Sequence, residues 1–303
     1  MPQKTVLITG CSEGGIGAAL AVEFHSRGHR VFATARDTSK MVSLAALGIE
    51  TLPLDVTAEA SISDAAAAVR EKLLSSSSRN FGSGNADAAP PPRLDILINN
   101  AGVNHVMPFS DTRIPDLRRV IDTNVVGPLA VTQAFLPLLI RGPRGTKAPT
   151  TDSRSTVVML GSVNEVFTPP YQVAYTASKA AIHAAARTLR IELAPFGVQC
   201  VTLMTGSVRT KLFANAPTKV PEDSLYGAVS DKIENREFLK NAQWVDADKF
   251  AKQVADELLR TRPKLDIWRG GLATVASWLA CLGWEGMLDS AMLKGNDLDK
   301  INR

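Results

Sequence analysis

The arrangement that most restricts the fold lies at the start of the chain. Residues 5–9, Thr-Val-Leu-Ile-Thr, form a short β-branched, apolar run of the kind that makes a buried strand. They lead directly into Gly10-Cys11-Ser12-Glu13-Gly14-Gly15-Ile16-Gly17, and then into an alanine-rich helical stretch over residues 16–27 that Gly28 closes. A strand feeding a helix through a glycine-rich turn is the opening half of a βαβ unit. Glycines at that bend let the main chain approach a pyrophosphate, and the helix N-terminus offers free N–H groups and a positive dipole end. Glycines also serve ordinary tight turns, so it is the placement between strand and helix that points to a nucleotide.

The alternation continues along the chain. Strands are expected at residues 30–34, 50–54, 94–99, 156–160, 198–203 and 265–268. Helices are expected at 61–74, 125–140, 175–194 and 247–260, with Pro195 and Gly197 ending the third. This order predicts an α/β fold, a single doubly wound domain with a parallel sheet and helices on both faces, over residues 1–270. Two stretches interrupt it. Residues 75–93 are mostly Ser, Ala, Pro, Asn and Gly with one large apolar residue, Phe81, and are expected to be a disordered surface insertion. Residues 141–155, basic and rich in Pro and Gly, are expected to be an exposed loop. Residues 271–303 are read as a C-terminal helical extension without a core of its own.

Composition narrows the function classes. Of 303 residues, 45% are hydrophobic and 21% charged, enough apolar side chain for a sizeable core. The 34 Lys and Arg against 30 Asp and Glu leave +4, no footprint for nucleic acid. Three scattered cysteines, Cys11, Cys200 and Cys281, make neither a disulfide framework nor a zinc spacing, and His105 has no metal-ligand neighbours in sequence. No metal is expected, and a reducing, cytoplasmic setting is. The N-terminal residues show no secretory signal pattern, and the uncharged run 270–284 falls short of the roughly 20 residues of a membrane span. With Trp278 and Trp284 it could be a peripheral anchor on an ER or lipid-droplet surface. A helix packed on the domain, or on a second copy in a homo-oligomer, fits equally.

Chemistry concentrates in five further places. The next strand ends at Ala33-Thr34-Ala35; Ala35 stands in the place where an NAD site carries an acid, and Arg36 follows. A guanidinium there favours the 2′-phosphate of NADP(H), although Asp37 could neutralise it. Tyr175 and Lys179, four apart, share a helix face. An ammonium about 5 Å from a phenol is worth roughly 3 kcal/mol at an effective dielectric near 20, about two pK units, which would bring the phenol toward neutrality for general acid/base work. Ser162 follows a buried-strand pattern, thirteen residues before Tyr175, where doubly wound folds bind ligands. Asn99-Asn100-Ala101-Gly102 follows another strand and permits close approach of a cofactor. Asn124 sits in a helical stretch it does not favour, so it needs a reason, such as satisfying the free carbonyl of a kink.

Together these residues resemble the short-chain dehydrogenase/reductase family, over about residues 4–270. The resemblance implies a seven-stranded Rossmann-type sheet and an NADP-dependent oxidoreductase that interconverts a carbonyl and an alcohol. It implies Tyr175 as general acid/base, Lys179 as its partner, Ser162 orienting the substrate oxygen, and Asn124 holding a proton-relay water. For the cofactor it implies Gly10, Gly15, Ile16 and Gly17 at the pyrophosphate. Asp55 would serve the adenine, Asn100 the adenosine ribose side, Arg119 a basic position near the cofactor, and Val208 and Thr210 the carboxamide end, with Tyr175 and Lys179 also facing the cofactor. Gly14 is one residue more than the usual turn holds, and Thr205 stands where proline is usual. These departures, the Gly-Cys-Ser opening and the extension are similar to fungal reductases of 1-acyl-dihydroxyacetone phosphate. The region 211–244, with Leu212, Phe213, Leu225, Tyr226, Phe238 and Trp244, lies where members carry a substrate loop. Asn104, His105, Val163, Asn164 and Tyr171 flank the catalytic motifs and are candidates to touch substrate. A tailoring ketoreductase of secondary metabolism remains an alternative, as does a nucleotide-sugar epimerase, although this chain lacks its larger substrate domain. A non-catalytic NADP-binding module is the reading from another class.

Overall fold

The structure is a computed structural model that describes residues 2–81, 92–140, 154–216, 219–240 and 242–301. Strands β1 (Thr5–Thr9), β2 (Arg30–Ala35), β3 (Glu50–Pro53), β4 (Ile96–Asn99), β5 (Ser155–Ser162), β6 (Val198–Thr205) and β9 (Asp266–Arg269) form one parallel, seven-stranded sheet. Its order is β3-β2-β1-β4-β5-β6-β9, so the winding reverses between β1 and β4. A further pair, β7 (Val208–Arg209) with β8 (Val245–Asp246), lies outside it.

Period-two side-chain alternation builds two cores from one sheet. Val6, Ile8, Ile96, Ile98 and Val158 pack under α1 (Ile16–Ser26), α2 (Val42–Ala46) and α9 (Ala247–Leu258). Leu7, Leu97, Val157 and Met159 point to the other face, under α3 (Glu59–Phe81), α5 (Gly127–Leu139) and α7 (Val173–Glu192). The doubly wound α/β reading therefore holds.

Several boundaries differ from the sequence reading. α3 continues to Phe81, so residues 75–81 are helical rather than disordered. Once a helix is nucleated, each added residue gains a hydrogen bond, and Ser75 bonds back to the Lys72 carbonyl at 3.1 Å. The rest of that expected insertion, to residue 91, and residues 141–153 of the expected loop lie outside the described residues. Ser155 belongs to β5, buried, its hydroxyl on the Leu139 carbonyl at 2.5 Å. The helix expected at 125–140 is α5 joined through a π-helical turn, Asp122–Val126, to α4 (Ile114–Ile121), which the sequence reading missed.

The segment after β7 makes a separate small lobe with α8 (Ser230–Glu234). Val106, Tyr171, Ala216, Val229 and Ile233 are buried in it, with Phe213, Tyr226 and Phe238 packed around them. The extension is helical, as expected: α10 (Ala273–Leu282) and α11 (Asp289–Gly295). α10 buries Ala273 and Ala276 against Val163 and the short helix α6 (Asn164–Phe167), leaving Trp278, Leu282 and Trp284 exposed. Leu298 and Ile301 then pack onto the lobe, and the Tyr171 hydroxyl reaches the Asn296 carbonyl at 3.3 Å. Among the described residues no helix is long and apolar enough to cross a membrane.

Candidate active site

The reversal between β1 and β4 opens a crevice at the carboxyl ends of the strands, where such sheets bind ligands. Gly10 occupies it with φ +74°, and a Cβ there would lie 2.7 Å from the Ala101 Cα. A Cβ on Gly17 would lie 2.6 Å from both Asn100 Nδ2 and the Gly10 carbonyl oxygen. Gly14, the additional residue, takes φ +76° inside a turn closed by Gly15 N–H on the Ser12 carbonyl at 3.1 Å. A left-handed residue in that place is what a type II turn requires, so the turn absorbs the insertion without disturbing the helix entry. Gly15 caps α1 without a side-chain hydrogen bond, and the first turn, from Ile16, has no acid, so no carboxylate of that turn competes for the N–H groups at the helix start. The bare cradle and free helix terminus fit a dinucleotide pyrophosphate.

Asn100 holds this cradle together. Its Nδ2 donates to the Thr9 carbonyl at 2.8 Å and the Gly10 carbonyl at 3.0 Å. Thr9 returns the tie, its hydroxyl accepting from the N–H groups of Asn100 and Ala101, both at 3.0 Å. The part played by Thr9 escaped the sequence reading, although a hydroxyl at a strand's end was the available signal.

At the end of β2, Arg36 is exposed. Asp37 does not neutralise it: that carboxylate caps the next turn, accepting from Ser39 N–H at 3.0 Å and from the Ser39 hydroxyl at 2.6 Å. Among the described residues Arg36 has no ion-pair partner. Asp55 lies just beyond β3. Burial pushes its pKa up, but hydrogen bonds from Thr57 N–H and hydroxyl and the charge of Arg36 together leave it below the usual carboxylate value. Val208 is buried in β7 opposite Val245, and the Thr210 hydroxyl accepts from Leu212 N–H at 3.3 Å. Arg119 is exposed on α4, where its charge acts on His105 and Asp116.

Ser162 is the last residue of β5 and is buried. Its hydroxyl accepts from Asn164 N–H at 3.1 Å and faces the Tyr175 phenol near the start of α7, whose pKa it lowers. One turn on, Lys179 is buried, with Nζ 5.5 Å from the Tyr175 ring centre and donating to the Leu160 carbonyl at 2.7 Å. Serine, phenol and ammonium thus meet as the sequence spacing predicts. Their proton balance does not. Burial raises the Tyr175 pKa to about 12, against a smaller lowering by Ser162, and lowers that of Lys179 to about 8. The expected fall toward neutrality counted only the Coulomb attraction of the ammonium, whereas desolvation dominates where both groups leave water.

Asn124 also departs from expectation. It lies buried in the π turn, and its Nδ2 donates to the Val103 carbonyl and to the Ser178 hydroxyl, both at 2.9 Å, while Oδ1 accepts from Val103 N–H at 2.9 Å. Both amide hydrogens are committed to protein, so the side chain anchors the loop after β4 instead of satisfying a kink carbonyl or donating to a water. Ser178 passes the tie on to the Tyr175 carbonyl at 2.7 Å. Gln172, unremarked in the sequence, is buried and accepts from Asn104 Nδ2 at 3.3 Å and Asn164 Nδ2 at 3.2 Å. It links the loops flanking Ser162 and Tyr175. Among the described residues His105, itself buried, finds no hydrogen-bond partner for either ring nitrogen, and burial lowers its pKa. Among the described residues no group of His, Cys, Asp and Glu could hold a metal.

The short chain dehydrogenase family model matches residues 4–221. This chain belongs to the short-chain dehydrogenase family. It is an oxidoreductase of a family that binds NAD(P), and the Rossmann-type sheet is that family's fold. A short-chain dehydrogenase/reductase of the fungus Pestalotiopsis microspora is 38% identical, over 99% of this chain and 97% of that one. The NADPH-dependent 1-acyldihydroxyacetone phosphate reductase of Schizosaccharomyces pombe is 35% identical, over 96% and 90% respectively. Among solved structures, a short-chain dehydrogenase from Streptomyces avermitilis matches with TM-score 0.72 and 27% identity, covering 100% of this chain and 98% of that one. An NADPH-bound carbonyl reductase from chicken fatty liver matches with TM-score 0.62 and 25% identity, over 85% and 92%.

Proposed function

We propose that this short-chain dehydrogenase is an NADPH-dependent reductase that converts an apolar ketone to a secondary alcohol. The observation that carries the reading is the meeting of Ser162, Tyr175 and Lys179 beside the glycine cradle. Arg36, free of Asp37, supports the phosphorylated cofactor, since a guanidinium pairs with a 2′-phosphate through charge-assisted hydrogen bonds. Gly10, Gly15, Ile16 and Gly17 would hold the pyrophosphate. Asp55 and Asn100 border the adenosine end, and Val208 and Thr210 the other.

When bound, the dinucleotide supplies hydride to the carbonyl carbon. The protein's part is to orient and protonate the oxygen. Ser162 donates a hydrogen bond to it as negative charge builds, and Tyr175 delivers the proton. A phenol held near 12 keeps its proton through the neutral range, which suits a donor. Lys179, the nearest cation, steadies the phenolate left behind and is placed to replace its proton. Asn124 acts at one remove, fixing Val103 and the Ser178 hydroxyl behind Tyr175.

The lobe of Tyr171, Phe213, Tyr226 and Phe238 supports an apolar substrate body. A phosphorylated, lipid-like ketone such as 1-acyl-dihydroxyacetone phosphate is supported by the 35% identical reductase of that substrate, and a cation, Arg236, sits against Phe213 of the lobe. That guanidinium stacks 5.8 Å from the Phe213 ring centre, donates to the Ala216 carbonyl at 2.9 Å, and has no carboxylate partner among the described residues. The test is a ketone panel, phosphorylated and not, assayed with NADPH and NADH in parallel. Preferential turnover of the phosphorylated lipid with NADPH supports the reading. Turnover confined to unphosphorylated ketones moves the substrate to the tailoring class, and NADPH binding without any turnover leaves a binding module.

A further inference from the structure

Tyr175, Lys179 and His183 recur every four residues on α7 and therefore share one face. Each is fastened to a different support: Tyr175 to Ser162, Lys179 to the Leu160 carbonyl, and His183 to two carboxylates. His183 Nδ1 lies 2.6 Å from Glu165 Oε1, and Nε2 makes an ion pair with Asp266 Oδ1 at 3.3 Å. Only 16% of the His183 side chain and 14% of the Glu165 side chain are exposed, so solvent screens this pair weakly. Glu165 sits on α6, three residues after Ser162, and its neighbour Asn164 donates to the Ser162 hydroxyl. Asp266 opens β9 and is paired in register with Thr202 of β6.

His183 Nε2 makes no hydrogen bond to Asp266, so that second tie is an ion pair alone, and it holds only when the imidazole is protonated. Among the described residues Glu165 Oε2 is buried with no hydrogen bond, which leaves His183 as the partner of this carboxylate. We propose, building on the reductase reading, that His183 is a positioning residue whose imidazolium bolts α6 to α7 and β9, fixing the Ser162 hydroxyl against the Tyr175 phenol. The surrounding charges are accounted for. The Asp266 and Glu165 carboxylates raise the His183 pKa to about 9 against burial. Arg190, further along α7, acts on Asp266, as does the Thr202 side chain of β6. α10, packed on α6, carries no ionisable acid or base apart from Cys281.

The test uses the full chain, with NMR titration of the His183 ring and kinetics of His183→Gln, Glu165→Gln and the double variant. The expected results are a ring that titrates well above 6.5 and single variants with kcat reduced by about tenfold to 10²-fold, as for a small misplacement of reacting groups. NADPH affinity should be unchanged, since the glycine cradle lies on other elements. The double variant should lose no more than the worse single one, the mark of one shared interaction. His183→Arg, which keeps the cation, should recover part of kcat. A ring titrating near 6.5, or additive losses in the double variant, overturns the proposal. If His183→Gln does not fold, the wild-type titration and Glu165→Gln still decide it: normal kcat in Glu165→Gln overturns it. A wild-type chain that reduces no ketone is a distinguishable result, because it removes the reductase reading while the ring titration remains measurable.

Discussion

Gly17→Ala tests the cradle at its tightest point. The added methyl would lie 2.6 Å from Asn100 Nδ2 and from the Gly10 carbonyl oxygen, where ordinary contact begins at 3.4 Å. One obstacle is main chain and the other is an amide already bonded at 2.8 and 3.0 Å, so neither can swing aside freely. Displacing the amide costs two hydrogen bonds of about 1 kcal/mol each, and more where a buried acceptor is left unpaired. Alanine returns at most about 1 kcal/mol of helix propensity. The net is a loss of about 1–3 kcal/mol, or a thermal midpoint lower by roughly 2–10 °C. The same movement shifts the α1 N-terminus, so NADPH should bind about tenfold more weakly for each 1.4 kcal/mol transmitted. Thermal denaturation and fluorescence titration with NADPH measure the two effects. Gly295→Ala is the control, because a Cβ there meets nothing within 4 Å. It should be neutral or slightly stabilising. A Gly17→Ala protein with wild-type midpoint and wild-type NADPH affinity would refute the reasoning.

Other consequences follow from the same geometry. Tyr175→Phe should lower kcat by about 10²–10⁴-fold with NADPH affinity retained, read by steady-state turnover and direct binding. Arg36→Ala should weaken NADPH by about 10–100-fold while leaving NADH nearly unaffected, because only the phosphorylated ribose loses a charged hydrogen bond; equal losses for both would refute its role. Glu257→Ala should destabilise the chain by about 3 kcal/mol in denaturant melts, since this buried carboxylate meets Arg269 at 3.4 Å and Lys264 N–H at 3.1 Å. For pH, His183 is raised from 6.5 to about 9, so its contribution is complete below pH 6.5 and lost as pH rises through 9. Lys179 is lowered from 10.5 to about 8, so its cost is full below pH 8 and relieved toward 10.5. The melting midpoint should therefore fall between about pH 6.5 and 8 and recover above 9; a steady rise from 6.5 to 8 would contradict the His183 assignment.

Where neighbouring residues decide the structure, the chain could be read directly. The β-branched runs became strands, and Gly10, Ser162, Tyr175 and Lys179 met because each sits at a fixed place on a strand end or helix face. Reading stopped at long-range closure. β5 runs on through Gly161, a residue that usually weakens strands, because a Cβ there would lie 2.8 Å from the Met204 sulfur of β6 and the strands need that approach. β7 and β8 hold two residues each and exist only by pairing with one another. The Asn124–Val103 bonds and the His183 cluster join elements far apart in the chain, so no local pattern announces them.

The Tyr175–Lys179 pair shows what a spacing leaves undetermined. Four residues along a helix put the ammonium beside the phenol, and Coulomb's law then favours the phenolate. Burial acts oppositely on the same two groups: it penalises the phenolate and the ammonium alike, and it has carried Tyr175 to about 12 and Lys179 to about 8. Lys179 meanwhile gives a hydrogen bond to the Leu160 carbonyl, a neutral acceptor. The resting phenol consequently holds its proton, and it does so next to a serine hydroxyl at the end of β5. Reduction of a carbonyl needs a proton donor at that point, whereas oxidation of an alcohol needs the phenolate. The protonation state imposed by burial readies the site for the carbonyl-protonating step, while the net direction follows the cofactor supply, and an alkaline shift that empties Lys179 before Tyr175 removes the supporting cation while the donor itself stays loaded.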